Sequence, residues 1–214
     1  MQKMPLINRF IIFLIAIMVL SCKPESTTLP ILGHHDFITS YESGELKTDT
    51  VFYTIPKFQL ENHLGSEFGS EQLAGKIHIA DFFFTSCPTI CPVMSRNMLA
   101  LSEEFNGVDN LAFVSISIDP RHDSVKVLNS YYQKLGGSNK EWYFLTGEKN
   151  KIFDLAEAYM VSAAEDPHAP GGLIHSGAFI LVDKQMRIRA YYDGTKDDDV
   201  EKLRTDLEWL IENE

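Results

Sequence analysis

The order of apolar segments along this chain predicts an α/β fold. Three observations carry the prediction. Two nearly continuous apolar stretches, residues 76–85 and 111–118, read as buried parallel strands; an amphipathic segment follows each; and a closing strand pair leads into a final amphipathic segment. Taken in order, the alternating residues 55–60, with Glu67-Phe68 beyond Asn62-His63-Leu64-Gly65, predict a small N-terminal hairpin. The strand 76–85 comes next. Over residues 92–105, Met94, Met98, Leu101 and Phe105 fall on one face, which predicts a helix packed on the sheet and makes both methionines core residues. The second buried strand, 111–118, ends at the Asp119-Pro120 break, and a helix follows over 123–135. A short strand at 141–145 and a helix at 149–159 precede two strands, 178–182 and 187–192, that flank Asp183-Lys184-Gln185-Met186 as a hairpin. Residues 197–212 close the chain as an amphipathic helix. This order is that of a thioredoxin-like fold with an N-terminal hairpin and a helix-containing insertion before the final β-hairpin.

The folded domain is expected to begin near residue 51 and to run to 214. Ahead of it, Lys3 and Arg9 precede the uncharged apolar run from Phe10 to Leu20, and Ser21-Cys22 follows. A charged n-region, a short apolar core and a small residue before cysteine read as a lipoprotein signal peptide over residues 1–21, with Cys22 as the acylated anchor. An ordinary signal peptide or an uncleaved anchor are the competing readings. Residues 22–50 carry Pro24, Ser26, Thr27, Thr28, Pro30, Gly33, Ser40, Ser43 and Gly44, and are expected to form a flexible tether. As a coil, that length would span ~30 Å on average. His34 and His35 within it read as solvated polar residues. The chain is therefore expected to be exported and membrane-anchored, with its domain in the periplasm or otherwise outside the cytoplasmic membrane.

Without Lys3 and Arg9 the chain holds 17 basic against 30 acidic side chains, a net charge of −13. Such a surface does not seek nucleic acid.

The chemistry sits in Cys87-Pro88-Thr89-Ile90-Cys91-Pro92, where a buried strand gives way to a helix. Pro88 biases Cys87 toward extended backbone and Pro92 suits a first helical turn, so the pair straddles the helix start, close to its positive dipole end. That environment stabilises thiolates, which attack disulfides and bind soft metals. A structural bridge here would close a loop of only a few residues and restrain the unfolded chain little, which leaves a redox or metal role. Three intervening residues make a wide grip that suits two bonds to one metal ion without forbidding a disulfide.

His175 is the candidate third ligand. It lies just before the strand at 178–182, in the loop that a thioredoxin-like fold brings beside the cysteine helix. Two thiolates and one imidazole form a soft, low-coordinate set that favours copper, with zinc the main competitor. Thiol–disulfide exchange enzymes of this fold keep a cis-proline at that place; here it holds His175-Ser176-Gly177, and Pro170 lies too far upstream. His168 reads as a solvated loop residue that could line the site, and His63 and His78 as structural or surface residues.

Three stretches together resemble the Sco/SenC family. They are Thr85 to Pro92, Ser117-Ile118-Asp119-Pro120-Arg121-His122-Asp123, and His175-Ser176 ahead of Phe179-Ile180-Leu181-Val182-Asp183. The resemblance covers about residues 50–210. It implies a membrane-tethered copper protein that assists assembly of the binuclear copper site of cytochrome c oxidase, with Cys87, Cys91 and His175 holding one copper ion. Asp119 matches the family's acidic position near the site and is expected to orient a ligand, balance charge or dock a partner, against the plainer reading that it caps the next helix. Ile174 replaces the Asp some members carry before the histidine, and His122 is given no role. The implied partners are the copper-site subunit of the oxidase and a reductase that keeps the dithiol reduced. No turnover is implied, so the chain is not expected to be an enzyme. A thiol–disulfide reductase acting on exported copper-site proteins is the main alternative, ahead of a redox or copper sensor and a peroxidase.

Overall fold

The computed structural model describes residues 28–214. The stretch expected as a signal peptide, and Cys22, the expected acylation site, lie outside the described residues. The first elements are β1 (Asp36–Glu42), β2 (Glu45–Val51), β3 (Gln59–Asn62), β4 (Glu67–Gly69) and β5 (Ile77–Phe83). Then come α1 (Cys91–Glu104), β6 (Leu111–Ser117), α2 (Val125–Leu135), β7 (Trp142–Thr146) and α3 (Lys149–Ala158). The chain continues through β8 (Ala163–Glu165), β9 (Leu173–His175), β10 (Ala178–Val182) and β11 (Ile188–Asp193), and closes with α4 (Asp197–Asn213).

Seven strands form one mixed sheet in the order β11-β10-β5-β6-β7-β3-β4. The central β5, β6 and β7 are parallel, and β10 joins β5 antiparallel. This is the expected thioredoxin-like topology, with β3–β4 as the N-terminal hairpin and α3 plus the small β8–β9 ribbon inserted before β10–β11. Parallel strands covered by helices on both faces are buried throughout, and β5 and β6 are buried at all seven positions each. Along β5 the side chains alternate: Phe82 packs at 5.7 Å against Tyr159 at the end of α3, whereas Phe83 packs at 5.6 Å against Tyr131 of α2. The helices α2 and α3 thus cover opposite faces. Ser95 of α1 meets Tyr131 Oη at 2.8 Å, placing α1 on the α2 side. The closing helix buries Val200, Leu203, Leu207 and Leu210, each worth about 2 kcal/mol, on one stripe.

Both ends of α2 are set by local sequence. The side chain of Ser124 accepts from the Val127 N–H at the start of α2, and Gly136, at φ 78°, ends that helix in the left-handed conformation that favours glycine. The histidines read as structural are buried: His63 Nδ1 accepts from Phe144 N–H at 3.2 Å, and His78 Nε2 lies 2.9 Å from Tyr159 Oη.

The stretch expected as a flexible tether is different. Residues 36–51 form an antiparallel two-stranded ribbon, β1–β2, because Ser43-Gly44 supplies a two-residue turn with φ of 56° and 87°. Both positive angles match the twist of a tight hairpin. The chain before it is docked: Leu32 N–H bonds the Ile188 carbonyl at 2.8 Å, and Arg189 donates to the carbonyls of Leu29 and Pro30 at 2.6 and 3.0 Å. His35, read as solvated, latches the ribbon's base, with Nδ1 accepting from Tyr53 N–H at 3.2 Å.

Candidate metal centre

The strand β5 ends at Phe83 and α1 begins at Cys91, so the turn between them carries Cys87. Ile90 starts the helix with αR backbone angles and no side-chain cap, and Pro92 fills the first turn, where a missing N–H is not needed. An uncapped start leaves amide groups free to face a sulfur, and those of Thr89 and Cys91 hydrogen-bond Cys87. On the other side, β9 ends on His175, whose backbone is fixed by pairing with Ala163 across the β8–β9 ribbon and by Ser176 N–H bonding the Ser162 carbonyl at 3.0 Å.

The three side chains converge. Cys87, Cys91 and His175 are all buried, and their Sγ and ring-nitrogen atoms lie within 4.8 Å of one another. His175 Nε2 is 3.2 Å from Cys91 Sγ and 3.9 Å from Cys87 Sγ. Its Nδ1 lies 3.0 Å from the Ser176 carbonyl, which can only accept, so the neutral ring carries its proton there and turns the Nε2 lone pair to the sulfurs. Phe84 packs edge-on against the imidazole at 5.7 Å and holds its plane.

The two thiols differ electrostatically. Burial pushes the Cys87 thiol up, but hydrogen bonds from the Thr89 hydroxyl and from the Cys91 and Thr89 amides oppose it, and the thiol comes down to about 6. Burial pushes the Cys91 thiol far above the usual range; a hydrogen bond from Phe84 opposes this, while Cys87 and Asp81 add to it. At neutral pH the pair is therefore one thiolate and one thiol, with the Cys91 S–H placed to donate to Nε2.

A metal bound by thiolates at ~2.3 Å and an imidazole at ~2.0 Å in a flat three-donor array would need sulfur and nitrogen about 3.7 Å apart. The 3.9 Å pair already meets this, and the 3.2 Å pair must open by roughly half an ångström, so the donors fit one soft ion.

The SCO1/SenC family model matches residues 47–212, from within β2 to the end of α4. The chain belongs to the SCO1/SenC family. Among solved structures it is similar to a SCO1/SenC family lipoprotein from Bacillus anthracis str. Ames, at 30% identity and a TM-score of 0.67, covering 74% of this chain and 95% of that one. It is similar also to BsSco, a member of the Sco family of cytochrome c oxidase assembly proteins in which a disulfide switch was identified, at 27% identity and a TM-score of 0.66, covering 76% and 95%. A third is Arabidopsis thaliana ScoI with copper bound, at 25% identity and a TM-score of 0.63, covering 74% and 98%.

Within this SCO1/SenC domain the remaining expected residues make the following contacts. Asp119 is half-buried and shapes the turn after β6: its N–H bonds Ser117 Oγ at 3.1 Å, and its carbonyl accepts from the amides of His122 and Asp123 at 3.1 and 2.8 Å. Among the described residues its carboxylate has no hydrogen bond with Cys87, Cys91 or His175. His168 is exposed in the turn joining β8 and β9, and Ile174 points outward. Cys22 lies outside the described residues.

Two acids that sequence reasoning passed over are tied to the site. Asp123, fully buried, accepts from Thr85 N–H at 2.9 Å, Thr85 Oγ at 2.5 Å, Ser117 Oγ at 2.6 Å and His122 Nδ1 at 2.9 Å. It ties the cysteine turn to the end of β6, and its motif position one turn beyond Asp119 was the available signal. Asp81, buried in β5, accepts from Ser115 Oγ at 2.6 Å. Burial raises its carboxyl to about 6, against the lowering effects of the Ser115 hydrogen bond and of His175. Its signal was a single acid inside the otherwise apolar run Ile79-Ala80-Asp81-Phe82-Phe83.

Proposed function

We propose that this SCO1/SenC protein is an extracytoplasmic copper carrier that takes one copper ion on Cys87, Cys91 and His175 and passes it to the binuclear copper site of cytochrome c oxidase. The observation that carries the reading is the convergence of two thiols and a pre-oriented Nε2 within 4.8 Å in a buried pocket. Copper is the cargo. Its binding displaces the Cys91 proton, and its release to an acceptor returns a proton to that sulfur. Support comes from the copper-bound Arabidopsis relative and from the naming of the BsSco family as oxidase assembly proteins. The Bacillus anthracis lipoprotein supports export and anchoring through Cys22. No helix among the described residues is long and apolar enough to cross a membrane. The anchoring reading rests on the pattern of residues 1–22, with Cys22 as the acylated residue. A partner reductase keeps the dithiol in its metal-binding form, and the protein turns nothing over.

One observation favours a second reading. A thiolate on Cys87 beside a protonated Cys91 is also the asymmetry of a thiol–disulfide reductase, with Cys87 attacking. Copper bound per reduced protein, wild type against His175→Ala under a competing chelator, separates the two. The carrier retains one copper per chain and loses it on substitution; no retention by either protein, with active disulfide exchange in both, supports the reductase.

A further inference from the structure

The β1–β2 ribbon takes no part in the metal site and has an unusual surface. Paired residues of an antiparallel ribbon share a face, and the pairs here are Phe37 with Thr50, Thr39 with Thr48 and Tyr41 with Leu46. That face carries no charge. The charges of Asp36, Glu45, Lys47 and Asp49 all fall on the opposite face. Phe37, Tyr41 and Leu46 are 69%, 78% and 61% exposed, so the uncharged face presents an aromatic–aliphatic surface to its surroundings. A two-stranded ribbon is marginal by itself in water, and such a surface calls for a cover.

The ribbon is also held in place. His35, directly before β1, bonds Tyr53 just beyond β2, and the Tyr53 hydroxyl donates to the Ala158 carbonyl at 2.9 Å at the end of α3. Gly33 lets the incoming strap pass Tyr53: a Cβ there would sit 2.6 Å from the tyrosine Cβ, and its φ is 125°. Its base is thus fixed to the domain.

We propose that the uncharged face of this ribbon lies on the outer surface of the bilayer that anchors the chain, at the boundary between zwitterionic headgroups and acyl chains. The inference rests on the anchored reading of Cys22. From Cys22 to Leu29, whose carbonyl Arg189 clamps, is seven residues, at most about 25 Å of chain. A seven-residue strand is itself about 23 Å long, so the anchor holds Leu29, the start of the strap that leads into the ribbon, within about one ribbon length of the lipid. Phenylalanine, tyrosine and leucine among threonines suit that boundary layer, where amphipathic rings sit at headgroup level. The chain's acidic excess opposes a second copy of itself and an anionic surface alike, and an uncharged face matches zwitterionic lipid. Docked in this way, the ribbon gives the domain one orientation over the membrane in place of a free swing on a tether.

The test uses the full acylated chain in phosphatidylcholine vesicles with and without brominated acyl chains. It carries Tyr41→Trp on the uncharged face or Ile38→Trp on the charged one, each read against the parent protein. Brominated lipid is expected to quench the added Tyr41→Trp emission roughly twofold, because the face sits ~5–10 Å into the boundary, and to leave the Ile38→Trp emission unchanged. Protein that floats with the vesicles while both tryptophans quench alike, or neither does, overturns the proposal and leaves the anchor standing. Protein that does not float overturns the anchor and the proposal with it. A Tyr41→Trp emission that shifts with protein concentration in lipid-free detergent assigns the face to a second copy and overturns the proposal as well.

Discussion

Removing the Asp123 carboxylate tests whether the metal site is held by a buried acid that touches none of its ligands. In Asp123→Ala four donors lose their acceptor: the Thr85 N–H and hydroxyl, the Ser117 hydroxyl and His122 Nδ1. The two hydroxyls can rotate to other acceptors and half-exposed His122 can turn to water. The Thr85 N–H cannot move, and stranding this partly buried amide costs about 1–3 kcal/mol. Adding the loss of charge-assisted hydrogen bonds at about 1.5–3 kcal/mol gives a destabilisation of about 2.5–6 kcal/mol. Asp123→Asn keeps one acceptor oxygen, which can serve Thr85 N–H and Ser117, and should cost about 1–2 kcal/mol. Thr85 is two residues before Cys87, so the alanine variant should also hold copper more weakly than the asparagine variant while both retain all three ligands. Urea unfolding measures the first effect and chelator competition the second. An Asp123→Ala protein within about 0.5 kcal/mol of wild type, with unchanged copper affinity, would refute the reasoning, since a surface-like substitution has that signature.

Three further outcomes follow from the same structure. The first concerns acid. His78 is held at about 3 by burial, with Asp183 opposing, so its stabilisation is complete above 6.5 and lost as pH falls toward 3; Asp81, raised to about 6, acts oppositely, favouring the fold below 3.8 and losing that as pH rises through 6. The two slopes largely cancel between about 4 and 6, so Asp81→Asn should raise stability at pH 7 by up to about 3 kcal/mol and make the acid decline begin near 6.5. Urea midpoints across pH check this, and a variant with the parent's profile would exclude a buried charge at Asp81. Second, alkylation of a Cys91→Ser protein should rise with a midpoint near pH 6, the value of the Cys87 thiol, and a midpoint above 8 would remove the thiolate assignment. Third, Gly171→Ala should cost more than about 1 kcal/mol and weaken copper binding, because φ is 83° and the new Cβ would lie 2.7 Å from the Phe84 ring that packs on His175. Thermal unfolding and chelator competition read the two effects.

The large elements were legible because their signals are local. Continuous apolar strands and a 3.6-residue stripe placed β5, α1, β6, α2, β7, α3 and α4 to within a few residues. The cysteine turn was legible because prolines flank it, and His175 because it stands just before a strong strand signal. The β1–β2 ribbon was obscured by its composition: threonine, serine and acid residues read as coil, and the Ser43-Gly44 turn with alternation on either side was the overlooked cue. The β8–β9 ribbon is only three residues a strand, too short for any periodicity, yet it fixes the backbone of His175. Asp81 and Asp123 escaped for a different reason. Their roles depend on burial and on partners 34 and 38 residues away in sequence, which no local pattern encodes.

The choice between carrier and reductase turns on the imidazole more than on the thiols. A low-lying Cys87 thiol beside a high-lying Cys91 thiol serves disulfide exchange and metal binding equally, because both need one ready thiolate. Burial keeps the second sulfur protonated, however, and its resting contact with Nε2 keeps it occupied, which slows the resolving step that exchange requires. For a metal the same contact is an advantage. An entering ion replaces one proton with itself, bonds both atoms that shared it, and finds the ring already turned by the Ser176 carbonyl. The fold has spent a strand pair, a glycine turn and an aromatic edge on orienting one nitrogen that disulfide chemistry does not use, and that asymmetry of effort favours a site built to hold an ion and let it go.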